Sequence, residues 1–550
     1  MLVVYIMIIF AIIVSILFLL YLLITYLMFI YKEDKRITYK KELVRGEKNM
    51  WMAVKRGIVV AVGLLLQILL TLFIYLKFGE FISIIQVVYG LLSIIIVLMI
   101  IKYSKRLSSD LIWILLIMLF PLIGTLLYII LSNNMKRSKV LKSINENIEN
   151  GQKYLIQDEF IKKEIDNKNL GQLKYISEFA GFPVTKNNEI NYYSLGDDVF
   201  PVMLEELKKA KKFIFIEYFI INNGTMWQGI LDILKEKANS GLDVRVLYDD
   251  MGSVAMLPSN YPKLLGKYGI KCIQFNKLSP FAGIIMNNRD HRKMMIIDGH
   301  TAFSGGINIS DEYININSKL GVWKDNGIRI KGEAVWNFTV MFLEMWNSFK
   351  KEDNDYNKYK YNFTEKYKEN GFVVPYGESP LDDVITGEDI YLNIINQAKK
   401  YVYIYTPYLI IDTDMINSLI LAARRGVDVR IIVPGIPDKK IVYDLTSSYF
   451  YTLIKGGVKI YTYTNGFVHS KVFLSDDEIA TVGTINLDYR SLYLHFECGI
   501  YMKDTNVIKD IKKDFEDSFK ESHKVEEKEA KNGLFKGLWQ AILRLFAPMM

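Results

Sequence analysis

At 550 residues the chain is too long for one hydrophobic core, so several units are expected. The hydrophobic fraction is 51%, with the excess in the first 132 residues, and the net charge of +8 is modest, leaving nucleic acid, an anionic membrane surface or neither as partner. Cys272 and Cys498 lie far apart and outside any CxxC pair, which excludes a disulfide framework and a thiolate metal site.

Residues 1–30 are almost wholly apolar, and a spanning helix needs about 20 such residues. No basic segment precedes them. Lys32, Lys35, Arg36, Lys40 and Lys41 follow instead, which reads as an uncleaved anchor whose basic flank, residues 31–57, faces the cytoplasm. Residues 58–132 read as a membrane region. It holds two further spans, 58–76 and 81–101, and a fourth apolar run, 111–131, with Pro121 in its middle and Gly124 after it. Proline removes a backbone donor and bends a helix. The fourth run is therefore expected to be bent, re-entrant or interfacial, which leaves the catalytic part in the cytoplasm; a kinked spanning helix is the alternative. The expected location is the cell membrane, as a multi-pass protein with N-terminal transmembrane helices. Residues 133–187 are a polar linker with some helix.

From residue 188 the chain repeats itself. Lys211-Lys212-Phe213-Ile214-Phe215-Ile216 is matched by Lys399-Lys400-Tyr401-Val402-Tyr403-Ile404. Gly241-Leu242-Asp243-Val244-Arg245-Val246 is matched by Gly426-Val427-Asp428-Val429-Arg430-Ile431. Helices ending at glycine and aromatic or β-branched strands alternate in both copies. The repeat predicts an α/β chain of two similar lobes, residues 188–349 and 371–524, joined by a charged connector, 350–370, and followed by a tail, 525–550.

Each lobe carries one chemical motif. In the first it is His291-x-Lys293, then Asp298, then Gly305-Gly306-Ile307-Asn308; in the second it is His469-x-Lys471, then Asp476, then Gly483-Thr484-Ile485-Asn486. The spacing is identical. Histidine can act as nucleophile or as acid/base near neutral pH. A lysine two residues on lies on the same side of a strand and neutralises an anion. Asn308 and Asn486 bring neutral donors on tight turns. Two copies face to face thus offer a nucleophile, an acid/base and two cations around one anion, which suits a phosphodiester. Lys293, Lys471, Asn308 and Asn486 are expected to hold its oxygens. Asp298 and Asp476 complete the motifs and are expected to close the turn after each motif strand. Asp325 and Glu497 follow in strand-like runs and could each orient an imidazole. No motif demands a metal or a nucleotide, so no cofactor is expected.

These paired motifs resemble those of the phospholipase D superfamily, and more closely those of bacterial cardiolipin synthases. Trp323-Lys324-Asp325, Tyr248-Asp249-Asp250, Thr406-Pro407-Tyr408, the run from Gly483 to Ser491, Phe496-Glu497, Arg544-Leu545-Phe546-Ala547-Pro548 and the Pro121–Gly124 run carry the resemblance. Gly306 departs from it where serine is usual, and His495 where asparagine is common. The resemblance implies two phospholipase-D-like lobes of mixed sheets flanked by helices, in a bacterial membrane enzyme. It implies transfer of a phosphatidyl group from one phosphatidylglycerol to another, with release of glycerol. His291 would be the nucleophile, forming a phosphohistidine, and His469 the acid/base; the near-equivalent copies do not rank the two. The competing readings are a phospholipase D that hydrolyses or exchanges head groups, a nuclease, and a non-catalytic scaffold. Membrane runs and the lack of a dense basic stripe argue against nucleic acid.

In the tail, Phe535, Leu538, Trp539, Ile542 and Phe546 share one helical stripe, and Lys536, Gln540 and Arg544 another. Such a helix suits an anionic bilayer surface; packing against the lobes is the alternative. Oligomeric state is not legible.

Overall fold

The computed structural model describes residues 82–103, 107–121, 124–125, 128, 139–277, 288–367, 371–382 and 384–549. The chain divides into two compact units, one up to Leu131 and one from Ser132 onward.

In the first unit, helices Ile82–Tyr103 and Leu107–Leu119 are described. Here the expectation of a multi-pass membrane chain is corrected. Among the described residues no helix is long and apolar enough to cross a membrane. The expected spans 1–30 and 58–76 and the basic flank 31–57 lie outside the described residues. The run 111–131 holds only part of a 13-residue helix, which rises roughly 20 Å against a hydrocarbon core of about 30 Å. The chain then bends at Phe120, just before Pro121. A Cβ on Gly124 would stand 2.4 Å from the Leu116 carbonyl oxygen, a close approach that only glycine tolerates.

The second unit contains both lobes. The first lobe is built on β1 (Asn188–Tyr193), β2 (Phe213–Tyr218), β3 (Asp243–Asp249), β4 (Lys271–Phe275), β5 (Lys293–Ile297), β6 (Thr301–Gly305), β7 (Val322–Lys324) and β8 (Gly327–Gly332). The second uses β9 (Phe372–Glu378), β10 (Tyr401–Tyr405), β11 (Asp428–Pro434), β12 (Lys459–Tyr463), β13 (Gly466–Val468), β14 (Val472–Ser475), β15 (Ile479–Gly483), β16 (Glu497–Lys503) and β17 (Ser522–Lys524). One sheet runs β1-β8-β6-β5-β2-β3-β4 and the other β9-β16-β15-β14-β10-β11-β12, with β17 added at the far edge. The two orders correspond strand for strand. In each, a parallel trio joins an antiparallel set at the strand that follows the histidine.

The parallel strands are covered on both faces, which is why they read as continuous apolar runs. β2 is buried at every position. The helices before β3 and β11 end alike, at Gly241 (φ +90°) and Gly426 (φ +94°), where the left-handed backbone favours glycine. Helix Val335–Phe349, mostly apolar, is buried from Val335 through Asn347. It lies in a core that also takes Phe215 and Met294 from the first sheet and Val472 and Leu474 from the second. The α/β duplication is therefore one body with a shared interior.

Candidate active site

Each histidine lies just before a central antiparallel strand. His291 precedes β5, which starts at Lys293, and His469 and Lys471 precede β14. The aspartates that end these hairpins sit away from the imidazoles. Asp298, at φ +55°, accepts from the N–H groups of Lys211, Lys212 and Phe213 at 2.7, 2.7 and 2.9 Å. Asp476, at φ +58°, does the same for Lys399, Lys400 and Tyr401 at 2.7, 2.8 and 2.9 Å. Each tethers the start of one strand to the turn after the next.

The lobes are stitched together at the histidines. The N–H of His291 donates to the Phe496 carbonyl at 2.9 Å, and the N–H of Phe496 to the Arg289 carbonyl at 2.8 Å. The N–H of His469 donates to the Lys324 carbonyl at 2.8 Å, where β7 and β13 pair in parallel. Phe496 precedes Glu497, and Lys324 precedes Asp325. Consequently the carboxylates cross over. Glu497 of the second lobe bonds Nδ1 of His291 at 2.8 and 2.9 Å. Asp325 of the first lobe bonds Nδ1 of His469 at 2.6 Å. All four groups are buried. With Nδ1–H donated to a carboxylate, a neutral imidazole keeps its lone pair on Nε2.

The surroundings set the protonation states. Burial lowers His291 to about 3 against the pull of Glu497, with Lys293 adding to the lowering. Burial, Lys471 and Lys293 hold His469 well below its ordinary value. Burial also brings Lys293 down to about 8 and Lys471 to about 7. The carboxylates differ. Burial raises Asp325 to about 6. Glu497 is opposed by burial too, but the charge and hydrogen bonds of His291, with His495 close by and the charge of Lys293, leave it well below the carboxylate range. The two motifs share one field: Lys293 acts on His469, Asp325 and Lys471. Lys293 Nζ donates to the His291 carbonyl at 2.6 Å, and Lys471 Nζ to that of His469.

The asparagines are partly engaged. Asn308 Oδ1 accepts from the Ile220 N–H at 3.1 Å, and its Nδ2 donates to the Tyr313 hydroxyl at 2.7 Å. Asn486 Nδ2 donates to Asp488 at 2.9 Å. Each amide nitrogen has a second N–H.

Several site residues were not singled out as such by sequence reasoning. The Thr484 hydroxyl donates to Glu497 Oε2 at 2.5 Å. Asp249 grips Arg289 through Nε and Nη2 and accepts from the Asp290 N–H at 3.1 Å, locking the approach to His291. Phe219 lies edge-on to His291 at 4.9 Å, and Tyr313 to His469 at 5.4 Å. The Gly306 departure has a steric reason. A Cβ there would stand 2.0 Å from Asp325 Oδ1, whereas Thr484 at the matching position of the second lobe reaches its carboxylate as a donor.

Comparison with known proteins agrees with this geometry. The family model described as "Cardiolipin synthase, PLD-like domain" matches residues 203–346 and 391–519, one segment in each lobe. A phospholipase D–nuclease N-terminal model matches residues 91–133. Cardiolipin synthase 1 of Staphylococcus aureus is 35% identical over 436 residues, covering 75% of this chain and 85% of its own. Cardiolipin synthase 2 of Staphylococcus epidermidis is 33% identical over 475 residues, covering 84% and 96%. The fold is shared with phosphatidylserine synthase of Haemophilus influenzae, with a TM-score of 0.52 at 16% identity over 69% of this chain and 98% of that one. The chain belongs to the cardiolipin synthase family of phospholipase-D-like enzymes and is a phosphatidyltransferase.

Proposed function

We propose that the enzyme joins two phosphatidylglycerol molecules into cardiolipin and releases glycerol. The observation that carries this reading is the pair of buried imidazoles, each held at Nδ1 by the other lobe's carboxylate, with two ammonium groups beside them. His291 Nε2 attacks the phosphorus. A P–N bond forms, the P–O bond to glycerol breaks, and His469, which takes up a solvent proton on Nε2 once the phosphate anion is bound beside it, gives that proton to the departing oxygen and returns to the neutral ring. The hydroxyl of the second lipid then loses its proton to His469 and attacks, and the P–N bond breaks. One phosphodiester is lost and one is made, so no nucleotide is needed.

The nucleophile is assigned to His291 because its partner is the firmer anion. Glu497 receives Thr484 as well as His291 and stays ionised, which favours the positive charge that grows on the attacking ring. Lys293 and Lys471 neutralise the phosphate, and the second N–H groups of Asn308 and Asn486 are available to its oxygens. The test is direct. The purified chain in phosphatidylglycerol vesicles is expected to yield cardiolipin and glycerol in equal amounts by mass spectrometry. Phosphatidic acid as the main product would overturn the reading in favour of hydrolysis.

The pH profile follows from the charged groups. Asp325 is ionised above about 6, and Lys471 and Lys293 keep their protons below about 7 and 8. We expect kcat/KM to rise as pH passes about 6, to begin falling above about 7 as Lys471 loses its proton, and to fall further above about 8 as Lys293 does. The alkaline limb should move upward in kcat, because a bound phosphate anion stabilises both ammonium groups. A rate that does not fall below about pH 6 or above about pH 8 would contradict the assignment.

The partner surface proposed for the tail is an anionic bilayer. What supports it is an inversion of polarity. Helix Leu534–Leu545 docks by polar residues: Gln540 Nε2 donates to the Asp444 carbonyl at 3.1 Å, and Arg544 Nε to the Ser448 hydroxyl at 2.9 Å. Leu543 packs inward with them, but the other large apolar residues face out, with Leu534 76%, Phe535 87% and Leu538 56% exposed. Transfer into lipid is worth roughly 1.5–3 kcal/mol for each such side chain. Cys272 and Cys498 are buried, so a fluorophore on Leu538→Cys labels selectively. Its emission should shift to the blue on adding anionic vesicles. Shielding that instead grows with protein concentration, without lipid, would identify a second copy as the occupant.

A further inference from the structure

Beside His291 lies a third imidazole that the phosphatidyl transfer does not use. His495 is 9% exposed, and neither of its ring nitrogens makes a hydrogen bond. Its Nδ1 stands 3.6 Å from Glu497 Oε1, and its ring centroid 5.6 Å from that of His291. Buried polar atoms in folded proteins nearly always have partners, so a buried ring whose Nε2 has none and whose Nδ1 has only a 3.6 Å contact with Glu497 calls for a ligand. One donor atom from each of His291, His495 and Glu497 falls within 4.8 Å of the others. Around a tetrahedral zinc ion with nitrogen and oxygen ligands at about 2.0–2.1 Å, donors stand about 3.3 Å apart. The 2.8 Å contact between His291 and Glu497 must open slightly, and the longer separations close, for the three to share one ion. Two histidines and a glutamate are also a donor set that zinc takes when a fourth position stays open to water.

We propose that His291 Nδ1, Glu497 and His495 together bind one zinc ion, and that this ion switches the enzyme off. Zinc takes the Nδ1 lone pair of His291. The single proton of the neutral ring leaves Nδ1 and is carried on Nε2, so one N–H bond breaks and one forms, with no change of oxidation state. Nε2 then has no lone pair to offer phosphorus. The charge of Lys293, which bears on both His291 and Glu497, acts against a dication here. That opposition suits an ion that enters when zinc rises and leaves when it falls. The inhibitory consequence rests on His291 being a reacting imidazole; the binding does not.

The test uses the full-length chain in nonionic detergent, with zinc titrated against a chromogenic chelator. The wild-type chain is expected to take up one equivalent that His495→Asn binds at least tenfold more weakly. Turnover of the wild type should fall with that equivalent and recover on chelation, while His495→Asn should be insensitive to it. Cobalt(II) in place of zinc should give the visible absorption of a four-coordinate ion in the wild type only. His495→Gln serves as the second variant if His495→Asn melts early. Equal zinc uptake by wild type and both variants, or tight uptake that leaves turnover unchanged, overturns the proposal. His469→Ala separates the two readings: it should lose turnover and keep its zinc. A His469→Ala chain that still turns over defeats the catalytic reading while leaving the zinc site standing.

Discussion

His291→Ala and His469→Ala are each expected to lose about 10,000-fold or more in turnover, yet to differ in what accumulates. In His469→Ala the attacking imidazole and its Glu497 partner remain. A lipid whose leaving group needs no proton should still phosphorylate His291, and the intermediate should then persist, because no base activates the second hydroxyl. Rapid quench with labelled lipid would trap it as an acid-labile adduct. In His291→Ala no such adduct should form on any time scale. Label retained by His291→Ala and absent from His469→Ala would reverse the two roles. Each variant also strands a buried carboxylate, Glu497 in His291→Ala and Asp325 in His469→Ala, so both should melt below the wild-type temperature, and trapping is done well below either transition.

The second large effect concerns the crossed carboxylates. Glu497→Gln and Asp325→Asn are isosteric but lose the charge that selects the Nδ1–H tautomer. Loss of the corresponding carboxylate in a serine-protease triad costs about 10,000-fold through the wrong tautomer. A reduction in kcat of roughly 1,000- to 10,000-fold is therefore expected for each, with KM little changed. Glu497→Gln should be the more severe, because Glu497 also receives Thr484, and a glutamine amide there would set a donor against a donor. The readout is steady-state kinetics on dispersed phosphatidylglycerol together with a thermal melt. A loss under tenfold in either variant would show that the ring is oriented by something else. The variants also test the crossing. Each carboxylate change should affect the chemistry of the other lobe's histidine, so in stopped-flow trapping Glu497→Gln should slow formation of the intermediate and Asp325→Asn its breakdown.

Much of this site could be read from residue order because the features are local. The His-x-Lys spacing puts both side chains on one side of a strand, and its repetition at one offset, with matching Gly-x-x-Asn turns, marks a duplicated α/β lobe. The glycine caps at Gly241 and Gly426 are equally local. Asp298 and Asp476 were legible as turn residues, and the structure gives them three backbone N–H groups each. Other features depend on what lies across the fold. Asp325 and Glu497 are visible as carboxylates after each motif, but nothing in the order of residues says that each serves the opposite histidine. That follows from β7 pairing with β13 and from Phe496 bridging to Asp290, the residue before His291. Thr484 and Gly306 occupy equivalent positions, and only the distance to the facing carboxylate explains why one is a donor and the other must be small.

Two apolar segments show the same divide. The hydropathy of residues 1–131 suggested spanning helices, whereas among the described residues none is long and apolar enough to cross a membrane. The tail helix was legible as amphipathic, but its orientation was not: Gln540 and Leu543 face the protein, and Phe535 faces out. Periodicity and spacing act between residues a few positions apart, so residue order alone established the duplicated lobes and their motifs. Which carboxylate meets which imidazole, and which face of a helix meets protein, are set by contacts between residues more than ninety positions apart, and these exist only once the chain has folded back on itself.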